Sequence, residues 1–164
     1  MSTSDSRDDA RASDPRAEED PSVRDLAETP DATAPDGSEV RLLVAAQGGS
    51  MAHFRLPPGA TARAVRHRTV TELWYVVAGR GAIWRSSEGD GREEDLYPGR
   101  SIAIPVGTTF QFRAIGDAPL DVVGVTMPPW PGNDEAAPAD GPWSPTVAPR
   151  SPGAEKDEPG VTTA

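Results

Sequence analysis

Residues 59–79 read GATARAVRHRTVTELWYVVAG, and this stretch decides the fold. A glycine bounds it at each end. Val65 and His67 are two residues apart, so on an extended strand both side chains leave by one face while Arg66 and Arg68 leave by the other. On the next strand Glu72, Trp74 and Val76 share a face by the same parity. Glu72–Ala78 is rich in aromatic and β-branched residues, which suit a pleated surface packed on one side.

Working outward, Gly79-Arg80-Gly81 makes a turn and Ala82–Ser86 is the returning strand of a hairpin. Upstream, Val40–Ala45 and Met51–Leu56 are compact apolar strands, the second ended by Pro57-Pro58-Gly59, and Ala62–Thr69 follows. Downstream, Ser87–Glu94 reads as a polar loop. Residues 99–114, GRSIAIPVGTTFQFRA, place strands Ser101–Ile104 and Thr109–Ala114 on either side of a Pro105-Val106-Gly107 turn, with Phe110 and Phe112 on one face. Leu120–Met127 is the last strand. No amphipathic helix of ten or more residues is visible. Many short strands separated by turns predict an antiparallel sandwich or barrel.

The charge divides the chain into three. Residues 1–38 carry net −7 with four Pro, residues 133–164 carry net −4 with six Pro, and residues 39–132 carry net +1. The ends hold too little apolar surface to offset ordering entropy, so residues 1–38 are expected to be a disordered acidic tail and residues 133–164 a mostly disordered Pro-rich acidic tail. Residues 39–132 are expected to be one domain of ordinary size. The acidic ends argue against nucleic acid and anionic membrane as partners. Cysteine is absent and no apolar segment follows Met1, so a cytoplasmic location is expected. Trp143 is unusual in a solvating tail, and Asp140–Val147 is expected to dock on the barrel. Trp130 is expected to fold back as an apolar plug over the barrel or a dimer surface.

In residue order, Gly59, Val65, His67, Glu72 and Gly79 give G-x5-V-x-H-x4-E-x6-G, and Gly99, Pro105, Gly107, Phe110 and Ala114 give G-x5-P-x-G-x2-F-x3-A. This skeleton resembles the two motifs of the cupin superfamily, G-x5-H-x-H-x3,4-E-x6-G and G-x5-P-x-G-x2-H-x3-N. The resemblance covers about residues 40–132. It implies an all-β jelly-roll barrel (a double-stranded β-helix), a site inside the barrel mouth, and a homodimer paired through the outer sheet. Matched position by position, His67 and Glu72 stand where the family has its second histidine and its glutamate. Val65 and Phe110 stand where it has the first and third histidines, and neither can coordinate.

The expected pocket therefore holds His67 and Glu72, the catalytic candidates, in a wall of Val65, Trp74, Phe110 and Phe112. No cofactor is expected. A divalent metal would need a third protein ligand, and the remaining histidine is His53. His53 shares a face with Met51 and Arg55, whereas Ala52, Phe54 and Leu56 form the more apolar face, so His53 is expected nearer the surface. Two function classes follow. One is a cupin that binds a small molecule in an apolar pocket. The other is an enzyme: a metal-free isomerase or epimerase whose hydrogen-bonded His67–Glu72 pair moves a proton beside a carbonyl, or a weak metal-dependent cupin enzyme. A third, purely structural reading has the pair satisfying itself and pinning two strands together.

Overall fold

A computed structural model of the protein describes residues 21–148. Its eleven strands are β1 (Ala32–Thr33), β2 (Glu39–Ala46), β3 (Gly49–Leu56), β4 (Val65–His67), β5 (Thr71–Ala78), β6 (Gly81–Ser86), β7 (Arg92–Leu96), β8 (Ser101–Ile104), β9 (Thr109–Ala114), β10 (Leu120–Met127) and β11 (Ala136–Pro138). A single 3-10 turn, Asn133–Glu135, precedes β11. Among the described residues no helix is long and apolar enough to cross a membrane.

The strands form two antiparallel sheets, one in the order β1-β2-β3-β10-β5-β8 and the other β11-β4-β9-β6-β7. Alternation along β5 sets the arrangement. Glu72, Trp74 and Val76 are buried while Leu73, Tyr75 and Val77 are exposed. The inward sets of both sheets meet in one core that includes Leu56, Val76, Ile83, Leu96, Phe112 and Leu120, all at most 1% exposed. Burying each such side chain contributes about 1.5–3 kcal/mol. Tight turns close the hairpins. At Gly79 φ is +79°, and a Cβ there would collide with the Pro119 carbonyl.

The ordered structure passes both boundaries expected from composition, at residues 39 and 132. At the N-terminal side, the carbonyls of Ala27 and Glu28 accept hydrogen bonds from the Arg41 guanidinium (2.9 and 3.0 Å), and β1 pairs with β2. At the C-terminal side, β11 pairs with β4. Glu135 anchors that turn. Its carboxylate accepts from Thr69 N (2.5 Å), Thr69 Oγ1 (2.8 Å) and Val70 N (2.8 Å). Burial works against charge on Glu135, but these donors outweigh it and hold the carboxyl below its usual range. Composition could not show this, because a few well-placed hydrogen bonds, not apolar area, tie the segment down.

Asp140–Val147 lies on the outer face of β9. Gln111 exchanges two hydrogen bonds with the Trp143 backbone (2.7 and 3.0 Å), Thr146 Oγ1 accepts from Thr61 N (2.8 Å), and the Arg113 guanidinium sits 4.2 Å from the Trp143 ring centroid. Arg68 donates to the Asp134 carbonyl, so this arginine is used within the fold. The expected polar loop Ser87–Glu94 is shorter than composition suggests, since β7 begins at Arg92 and pairs with β6. The remainder of the two expected tails, residues 1–20 and 149–164, lies outside the described residues.

Candidate ligand site

Between the sheets lies a cavity of about 370 Å³. Its wall is mostly apolar, and β2, β3, β4, β5 and β10 all contribute to it. Val65, His67, Glu72 and Trp74 all line it, as their parity requires. Phe110 and Phe112 do not, contrary to the sequence expectation. Both are 1% exposed and lie behind other rings. Phe110 meets His67 and Trp74 edge-on, at centroid distances of 5.1 and 5.8 Å, and Phe112 meets Trp74 edge-on at 4.9 Å. The imidazole and the indole thus stand between these phenylalanines and the cavity.

His67 Nδ1 and Glu72 Oε2 are 3.7 Å apart, too far for the hydrogen bond that the spacing suggested. Both side chains are at most 5% exposed. His67 Nδ1 and Trp74 Nε1 are buried without a hydrogen-bond partner. The pair is therefore not mutually satisfied, which removes the support for a purely structural role.

The electrostatics follow from this isolation. Burial pushes the Glu72 carboxyl up to about 8; Trp74 Nε1, close by but short of hydrogen-bond geometry, offsets this in part, and the Asp36 carboxylate adds to it. Burial pushes the His67 imidazole down to about 4, against the attraction of Glu135. At neutral pH a protonated carboxylic acid thus faces a free imidazole.

The sequence reading missed four contributors. Phe54 reaches the cavity from the apolar face of β3. Gly124 on β10 gives Glu72 its room. A Cβ there would lie 2.7 Å from both Glu72 Oε1 and the Phe54 ring, and 3.3 Å from the Trp74 ring. A lone glycine inside the apolar run of Leu120–Met127 was the available signal for such a close approach. Thr126 Oγ1 lies 2.8 Å from Ser50 Oγ, which accepts from Trp130 N (2.9 Å). That chain sets the Trp130 ring against His67, with centroids 5.3 Å apart at 72°.

His53 is not near the surface. It lies on the outer face of β3, as parity predicted, yet is 4% exposed. Its Nε2 is 3.1 Å from Asp121 Oδ1, and Arg55 donates to the same carboxylate (2.7 and 3.1 Å). Arg41 faces it from β2, capped by the carbonyls of residues 27 and 28. A non-local segment buries it, which no strand pattern could reveal. Burial holds the His53 imidazole below its usual range against the pull of Asp121.

His53 therefore faces away from the cavity and cannot join His67 and Glu72 around an ion. No group of three or more His, Asp or Glu side chains is placed to hold a metal ion among the described residues. Two donors do not fit a transition-metal site, which takes at least three protein ligands.

Residues 52–126 match the family model described as Cupin domain. An uncharacterized protein of Methanocaldococcus jannaschii, MJ1618, is 28% identical over 85 residues, a match spanning 52% of this chain and 65% of that relative. Among solved structures, BH2720 from Bacillus halodurans has a TM-score of 0.54 at 20% identity, covering 63% of this chain and 80% of its own. Oxalate decarboxylase of Bacillus subtilis, in a study of its Mn(II) centers, has a TM-score of 0.51 at 20% identity over 60% of this chain and 27% of its own. Identities this low carry the fold alone. The glycine and proline skeleton, the two sheets and the match over residues 52–126 agree that this part of the chain is a cupin domain.

Proposed function

We propose that this cupin domain binds a small organic molecule in the cavity between its sheets, without help from a bound metal. The observation that carries the proposal is a pair of buried polar atoms without a hydrogen-bond partner in an apolar cavity, His67 Nδ1 and Trp74 Nε1, beside the Glu72 carboxyl. Buried polar groups normally have partners, so a cavity lined by unpaired ones is suited to a ligand that supplies them. A thermal-shift screen tests this on wild-type protein and an Ala52→Phe variant. Ala52 lines the cavity opposite Gly124, and the phenyl ring would fill it. Ligands that raise the wild-type melting temperature and leave the variant unchanged support the reading. Equal shifts in both proteins would place binding elsewhere.

A metal-free proton transfer is the second reading, favoured by the free base and the protonated acid 3.7 Å apart. His67 would take a proton from a carbon beside a carbonyl while Glu72 gives one to the carbonyl oxygen. Once a turnover substrate is in hand, His67→Gln and Glu72→Gln should each lower kcat by 10²-fold or more. Turnover untouched by either change would end this reading.

Homodimer formation belongs to the same proposal. Leu73, Tyr75 and Val77 form an apolar row on the outer face of β5, 43–53% exposed. Segments of this chain cover parts of the other outer faces, residues 27–28 beside β2 and residues 140–147 over β9. A cytoplasmic location rests on the absence of cysteine.

A further inference from the structure

The charge lining the cavity is one-sided. Two carboxyl groups face it, Glu72 from β5 and Asp36 from the turn before β2, at 3% and 7% exposed. Arg24 is the one arginine or lysine in the lining among the described residues; its side chain is 46% exposed and lies 3.8 Å from Asp31. Three aromatic rings, Phe54, Trp74 and Trp130, stand in the same wall. Over Gly124 the Phe54 ring, the Trp74 ring and Glu72 Oε1 converge within 3.3 Å of one point.

We propose that the cavity selects a small organic cation, an amine or quaternary ammonium, seated between Glu72 and the rings of Phe54, Trp74 and Trp130. This deepens the reading of the cavity as a ligand site and rests on it. Aromatic faces and a desolvated carboxylate each attract such a cation. An anionic ligand would meet two buried carboxyl groups and no buried cation. Asp36 already accepts from Ser38 N (2.8 Å) and Ser38 Oγ (2.6 Å), so Glu72 is the carboxyl left for a ligand.

The groups facing Glu72 define a signature. From β4 comes His67, pushed down to about 4 and so uncharged at neutral pH; from the turn before β2 comes Asp36; β10 contributes uncharged Gly124 and Thr126. Glu135, beside His67, is held by Thr69 and Val70, and Arg24 lies beside Asp31. Glu72 keeps its proton up to about 8 in the empty cavity, and a cation would displace it. Affinity for a permanent cation should therefore rise with pH, by roughly 50-fold from pH 6 to pH 8, and then level off. A ligand that accepts a hydrogen bond from protonated Glu72 would instead lose affinity as pH rises past 8.

The probes are choline, its uncharged carbon isostere 3,3-dimethylbutan-1-ol, and 3,3-dimethylbutanoate, each titrated into the full chain by calorimetry at pH 6 and pH 8. Expected is tighter binding of choline than of the isostere, with the stated rise in pH and loss of that rise in Glu72→Gln. Binding of the isostere or the acid without choline would overturn the cation while keeping the cavity as a ligand site. Choline affinity independent of pH in the wild type would overturn the role of Glu72. No binding by any of the three would overturn both the cation and the cavity reading.

Discussion

Replacing Glu72 by Gln should make the protein more stable in alkali, which is the reverse of the usual loss of a buried charge. The reasoning starts from the position of the side chain, 3% exposed on β5 with no cation beside it. Its folded carboxyl is raised from 4.5 to about 8. Between those values the folded chain holds a proton that the unfolded chain has released, so stability falls as pH rises. From pH 6.5 to pH 9 this loss comes to about 2 kcal/mol. His67, lowered from 6.5 to about 4, acts in the other window: its penalty grows as pH falls below 6.5 and is nearly silent above it. Asp36 is also raised by burial, but its contribution is common to both proteins and cancels in the comparison. Gln mimics the protonated carboxyl in size and polarity. Urea unfolding near pH 4 should therefore give similar stabilities for the two proteins, and by pH 6.5 the variant should already lead by about 2–3 kcal/mol. From pH 6.5 to pH 9 that lead should grow by about a further 2 kcal/mol. Parallel pH curves would refute the claim that Glu72 is buried and uncompensated.

Other consequences can be checked one by one. Glu135→Gln leaves backbone donors of Thr69 and Val70 poorly paired and should cost about 2 kcal/mol, read from the urea midpoint. Gln111→Ala removes both bonds to the Trp143 backbone, so Trp143 fluorescence should shift to the red while the core transition persists. Tyr75→Glu places a charge in the exposed apolar row of β5; if that row pairs two copies, light scattering will report a monomer for the variant and a dimer for the wild type. Gly124→Ala forces Glu72 or Phe54 to move and should cost about 1–3 kcal/mol in thermal unfolding.

What the sequence made legible was local. Turns at Gly59, Gly79, Gly99 and Gly107 all have positive φ, a demand written into residue type, and they frame the strands. Parity alone placed Val65, His67, Glu72 and Trp74 in one cavity. Parity does not say which ring stands in front of another, so Phe110 and Phe112 were read as wall when they are core. Nor does it give separations, so a His–Glu gap of 3.7 Å read as a hydrogen bond. The remaining misreadings come from contacts between distant segments. His53 is buried by Arg41 and the residues beyond it, and Glu135 ties a charged, proline-rich stretch to β4. Composition averages over a segment and hides a single anchoring carboxylate.

The central claim is that Glu72 faces the cavity without a compensating charge, neither a metal nor a cationic side chain. Carbon-detected NMR of its side-chain carboxyl, followed through a pH titration of protein purified without chelator, tests this most directly. The account predicts a midpoint near 8. A midpoint at or below 4.5 would mean that a bound cation or an unseen partner stabilises the carboxylate, and it would contradict the account.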